Sequence, residues 1–132
     1  MELKDFYFED KAMIGERMPI RLPDGTDSGE WLNVISPTAD VAMRAGRDFM
    51  FAYQAKVAEL EPLKEDKTKY AILLNDFCND INRQMAASIV NGWSFSEPFT
   101  REAFMQLLTQ YSSLGNMVAE FQADQRKKMQ EK

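Results

Sequence analysis

The chain predicts a mainly α-helical fold: an antiparallel two-helix hairpin and two short C-terminal helices, preceded by a small N-terminal β-hairpin or extended segment. The second long helix carries the strongest pattern, with Tyr70, Leu73, Leu74, Phe77, Cys78, Ile81, Met85 and Ile89 on one stripe between Thr68 and Val90. A similar stripe (Val41, Ala45, Phe49, Ala52, Lys56 and Leu60) runs through Thr38 to Leu60, and only a short charged connection separates the two. Ahead of both, Met18 to Leu22 and Trp31 to Ile35 are short runs of strand formers around the turn-rich Pro23-Asp24-Gly25-Thr26-Asp27-Ser28-Gly29.

Each element has its own start and stop. The first 36 residues read as extended chain and hairpin. Two strands alone are marginal in water, so the hairpin needs cover from helices or from another subunit. Ser36-Pro37 is suited to open the first helix, with serine as N-cap and proline at the first helical position. Pro62 stops that helix, and Asn91-Gly92 is expected to end the second through a left-handed glycine. Thr100 caps a third helix carrying Phe104, Leu107, Leu108 and Tyr111. After a break at Ser112-Ser113, Leu114, Met117, Val118 and Phe121 mark a fourth. The chain thus reads as a single domain over 1–132, with a helical core over 37–123 and a polar tail over 124–132 expected to fray. Phe77 and Ile81, in mid-stripe, are expected to cost about 2–5 kcal/mol each when cut to alanine.

Composition narrows function. At 132 residues the chain can bury a core without staples. Its net charge of −5 argues against general affinity for nucleic acid or anionic membrane. No run approaches the roughly 20 apolar residues of a membrane span, and the N-terminus lacks a signal-peptide pattern. Cytoplasmic residence is expected. There is no histidine and one cysteine, which removes the commonest general base, the commonest transition-metal ligand and any internal disulfide. Cys78 lies on the apolar stripe with no base to activate it, and reads as a small hydrophobe. Asp24 to Gly29 fails as a calcium loop because its twelfth position is Ile35 rather than an acid. Asp76 and Asp80, one turn apart, read as a solvated helix face. No enzyme, metal or cofactor is expected.

What remains is apolar material off the stripes. Nine methionines are many for this length, and Met43, Met50, Phe51, Met105 and Met129 do not belong to the assigned faces. They form either an adaptable binding surface or a loosely specified core. Trp93, Phe95 and Phe99 sit in an irregular link, where aromatics are pinned as anchors or offered to a partner, with anchoring favoured. Met43, Met50, Phe51, Trp93, Phe95, Phe99 and Met105 are the candidate partner-binding residues. Charge is also uneven: Glu2 to Glu30 holds eight acids and four bases, whereas Arg126 to Lys132 holds four bases and one acid. The terminal cations either answer a helix dipole or, with the acidic head, draw copies together; because a two-stranded hairpin also needs cover, a homo-oligomer is expected.

The stretch Trp93-Ser94-Phe95-Ser96-Glu97-Pro98-Phe99-Thr100-Arg101-Glu102-Ala103-Phe104, with Leu107-Leu108 and a further helix, resembles the C-terminal part of tail assembly chaperones of long-tailed phages, of the lambda G-protein type. Ile20-Arg21-Leu22-Pro23-Asp24-Gly25-Thr26 with Gly29-Glu30-Trp31-Leu32 is similar to their N-terminal opening. The chain departs from that pattern at Ser112-Ser113-Leu114-Gly115, where a proline-containing break would be expected. The resemblance implies a non-catalytic protein of the host cytoplasm that binds the tape measure protein during tail assembly and is absent from the virion. It also implies a longer form made by a programmed frameshift, for which Lys127-Lys128 is the candidate region, that recruits tail tube protein. A head–tail connector that stays in the particle, or an acidic binding module, are the alternatives.

Overall fold

The computed structural model describes residues 1–130. It is mainly helical, with a small three-stranded antiparallel sheet. A 3-10 turn at Leu3–Phe6 leads into α1 (Phe8–Ile14), then strands β1 (Glu16–Arg21) and β2 (Asp27–Val34). Helices α2 (Asp40–Leu60) and α3 (Lys67–Ile89) follow, joined through a 3-10 turn at Glu61–Leu63. Strand β3 (Val90–Trp93), α4 (Arg101–Gln110) and α5 (Leu114–Gln130) complete the order.

The expected hairpin is present. Met18 and Ile20 on β1 alternate with exposed neighbours and pair their buried face with Leu32 and Val34 on β2, in the register Met18↔Leu32 and Glu16↔Val34. Its turn closes between Leu22 and Thr26, and Gly25 takes φ 91°, open to glycine without strain. Asp24 accepts hydrogen bonds from the Thr26 hydroxyl (2.7 Å) and amide (3.0 Å), which hold its carboxyl below the ordinary carboxylate range.

The hairpin's cover is a third strand and the C-terminal helices. Gly92 does not end α3 in a left-handed conformation, contrary to expectation. The chain passes straight from Ile89 into β3, and Val90, Gly92 and Trp93 pair with Val34, Asn33 and Leu32. Leu32, Val34, Ile35, Ile89, Phe104, Leu108, Leu114 and Val118 are wholly buried between the sheet and helices α3, α4 and α5. Tyr111 donates its hydroxyl to the Arg21 carbonyl (2.6 Å), tying the end of α4 to β1.

Four further expectations are corrected. The first 36 residues are not all extended, because α1 forms within them. Gly15 ends it at φ 67°, where a Cβ would lie 2.2 Å from the Val34 carbonyl oxygen. The first long helix starts at Asp40 rather than at Ser36-Pro37. The Ser36 hydroxyl instead accepts the Thr38 amide (3.2 Å) within a turn, and the Glu9 carboxylate accepts the Asp40 amide (2.9 Å), so α1 supplies the anion at the start of α2. Residues 124–130 are helical rather than frayed, as part of α5, and the rest of the proposed tail lies outside the described residues. Gln122 and Gln125 are buried under α5, and Gln122 donates to the Ile35 carbonyl (3.2 Å), which gives this polar sequence an inward face. The C-terminal pair of helices is therefore not uniformly short.

The fourth correction concerns the stripe of α3. Only Ala86 and Ile89 are fully buried there; Phe77, Cys78 and Ile81 are half-buried. α5 meets the C-terminal half of α3, where Arg83 lies under Gly115 and Asn82 hydrogen-bonds Asn116. Further out α3 meets α2: the Lys56 ammonium lies 5.7 Å from the Phe77 ring centroid, and Ala45 and Phe49 share a cleft with Ile81 and Met85.

Chemical denaturation should separate these regions. Gly15→Ala should cost about 2–3 kcal/mol or more, because strain and a backbone clash coincide. Phe77→Ala should cost only about 1–2 kcal/mol, since part of its surface already meets water.

Candidate protein-interaction surface

Helix α2 has two faces with different fates. Ala42, Ala45, Phe49, Ala52, Lys56 and Leu60 are buried or half-buried on the α3 side. At 100° per residue, Met43, Arg44, Met50, Phe51 and Gln54 all fall within about 60° of Arg47, on the opposite side. Met43, Met50 and Phe51 are 60, 59 and 62% exposed. Within α2, Val41 faces water and Ala42 takes the inward place expected for it.

This outer face is apolar and carries two arginines, of which Arg44 lies near Asp40, Glu9 and Asp48. Arg44 pairs with Asp40, which raises the guanidinium pKa still further. Arg47 makes no ion pair among the described residues. Methionine and phenylalanine around a guanidinium present flexible, polarisable contact area with one fixed charge, which suits a helix laid alongside.

The other candidates are elsewhere. Trp93, Phe95 and Phe99 form an aromatic cluster with buried Phe104. The Trp93 ring lies 5.3 Å from Phe95, 5.0 Å from Phe99 and 6.5 Å from Phe104, all edge-on. The Trp93 indole N–H donates to the Glu97 carbonyl (2.8 Å), so the irregular link is folded back over its own aromatics. Met105 is half-buried against the same core. These four pack as anchors, while Met43, Met50 and Phe51 form an open face. Lys127 and Lys128 lie in the last turn of α5. Lys128 shares a cleft with Lys11 and Glu16, so the end of α5 lies beside the N-terminal segment.

Asp76 and Asp80 are exposed, and Asp80 pairs with Arg83. No group of three metal-ligating side chains gathers among the described residues, and no described helix is long and apolar enough to cross a membrane.

Residue patterning missed a second surface. Leu3, Phe6, Tyr7, Phe8 and Ile14 are all exposed on or beside α1, whose only buried residue is Ala12. The signal was three consecutive aromatics flanked by acids, since a short helix cannot bury three successive side chains on one face. The outer face of the sheet adds Arg17 stacked on Trp31 at 4.2 Å.

No protein-family model, curated protein or solved structure matches the chain.

Anchor and open face should respond differently to substitution. Trp93→Ala should lose about 3 kcal/mol of stability, read by thermal or chemical unfolding. Phe51→Ser should stay within about 0.5 kcal/mol of the parent.

Proposed function

We propose that this chain is a non-catalytic assembly chaperone of the phage-tail type, holding a long helical partner, the tape measure protein, in solution until tail tube subunits enclose it. In this reading α2 and α3 form an antiparallel hairpin that acts as a binding arm. The outer face of α2 carries the proposal: Met43, Met50 and Phe51 stay open on the side away from α3, where they contribute nothing to the chain's own core. An amphipathic partner helix could cover them with its apolar stripe and set an acidic residue against Arg47. The acidic net charge would keep the loaded complex soluble, and the resemblance of the Trp93 to Phe104 stretch supplies the identity of the partner.

Co-expression tests this directly. An aggregation-prone tape measure fragment should remain soluble with the parent chain and precipitate with the Met50→Glu/Phe51→Glu variant. Equal precipitation with and without the parent chain would reject the reading.

The longer frameshifted form implied by the same resemblance would begin near Lys127-Lys128. An added domain would then extend from the last turn of a helix, and would be placed to recruit tube protein while the arm holds the tape measure. The gene should show a slippery adenine-rich run at these codons and an overlapping frame that continues. Absence of either removes this site.

A further inference from the structure

We infer that the exposed residues Leu3, Phe6, Tyr7 and Phe8 continue the partner-binding face of α2, so that one long amphipathic helix of the partner lies across both. This rests on the reading of the α2 face given above and supplies the remainder of that site.

Neither surface is large enough alone. Exposed as they are, Met43, Met50 and Phe51 together offer roughly 300–400 Å². That is under half of the ~800 Å² that each partner gives to a specific complex. Leu3, Phe6, Tyr7 and Phe8 are each about half exposed or more, and they roughly double the area. The two surfaces also adjoin. The Glu9 carboxylate accepts the Asp40 amide at 2.9 and 3.2 Å, and it lies near enough to Arg44 to favour the guanidinium's charge. By helical phase Asp40 falls about 20° from Arg47 and Arg44 about 60°, so both belong to the open face. Phe8 directly precedes Glu9, which places its Cα no more than about 13 Å from that of Asp40. The aromatic segment therefore begins where the α2 face ends.

The segment is held in that place. Ala12 is buried, the Ser36 amide donates to the Ala12 carbonyl (2.9 Å), and Asn33 and Asn91 donate to the Ile14 and Met13 carbonyls. Glu9 fixes the other side of α1 to α2, while Phe6 and Phe8 pack edge-on against each other at 6.1 Å and stay open to water. The path has a length that selects its occupant. From Asp40 to Phe51 it runs about 16 Å along α2, and the aromatic segment adds about 10 Å. A partner helix of about 18–20 residues spans the whole path, whereas one of about 10 residues covers the α2 part alone.

Fluorescent helical peptides of about 20 and about 10 residues, taken from a tape measure fragment that the parent chain keeps soluble, test this with the full chain. The longer peptide should bind the parent about tenfold or more tightly than the shorter one. Phe6→Glu/Phe8→Glu, checked by circular dichroism for an unchanged fold, should remove that advantage and leave the shorter peptide's affinity as it was. Ile14→Glu, also exposed but at the sheet end of α1, should keep the advantage. A double variant that binds the longer peptide as tightly as the parent would overturn the inference. An equal loss with Ile14→Glu would do the same, because a general disturbance of α1 would then be the cause. Hydrogen-exchange protection of residues 3–10 that grows with concentration in the peptide-free chain would give the segment to a second copy, and likewise overturn it. A parent that binds neither peptide would reject the proposed function itself, and this inference with it.

Discussion

The arrangement of this molecule hangs on the passage from Ile89 to Val90. Helix α3 enters strand β3 with no loop between them. The Val90 amide still donates to Ala86 in the last helical turn, while the Ile35 amide takes the Ile89 carbonyl at 2.9 Å. One residue later the backbone belongs to the sheet, with Val90 against Val34, and both are buried. A loop would let helix and sheet reorient; here neither can turn without breaking the other's hydrogen bonds in a dry environment, where an unpaired amide costs about 1–3 kcal/mol. The direction of α3 is therefore set by the sheet. The direction of α2 follows from α3 and from the Glu9 carboxylate at its start.

Stability divides along the same line. The fully buried side chains around the sheet each contribute roughly 1.5–3 kcal/mol, and they come from strands, loop and helices distant in sequence. Beyond the reach of α4 and α5, the two long helices have only each other. Their contact is half-buried, and the exposed ion pair of Lys64 with Glu61 (3.6 Å) in the turn between them adds little. Such a region opens locally at lower free energy than the core. Its base is held by the sheet while its outer turns can adjust to what they meet.

This division explains which parts were legible in the sequence. The stripes of both long helices, the hairpin turn, the Thr100 cap and the Ser112-Ser113 break are local signals, and each element lies close to where its signal stands. Local signals could not show that the core would sit at one end of the long helices. The Phe77 stripe has the same spacing whether it meets three neighbours or one. Strand β3 is four residues long and contains the Asn91-Gly92 stop of the helix before it, so only its pairing with β2 defines it. Gln122 and Gln125 look solvated in sequence and become buried because α5 closes over the loop after β2. Of the candidate surface residues, Met43, Met50 and Phe51 were separable by helical phase. Trp93, Phe95 and Phe99 were not, because an irregular link has no period from which to infer a face.

The open face of α2 has a simple energetic consequence. A helix with one neighbour folds by burying one stripe, and here that stripe is filled by Ala42, Ala45, Phe49, Ala52 and Leu60. Methionine and phenylalanine on the far side gain little burial on folding, and they raise the chance of non-specific association. Arginines at positions 44 and 47 and the net charge of −5 counter that risk by keeping the face wet and the molecules mutually repulsive. Such side chains recover free energy only when something covers them, at roughly 1.5–3 kcal/mol for each one buried. Against this stands the cost of association, of order 4–15 kcal/mol. Three side chains alone barely meet it. A stable occupant must therefore extend along the helix or bring charges that pair with Arg47, and either requirement selects an elongated, acidic, amphipathic segment over a compact ligand.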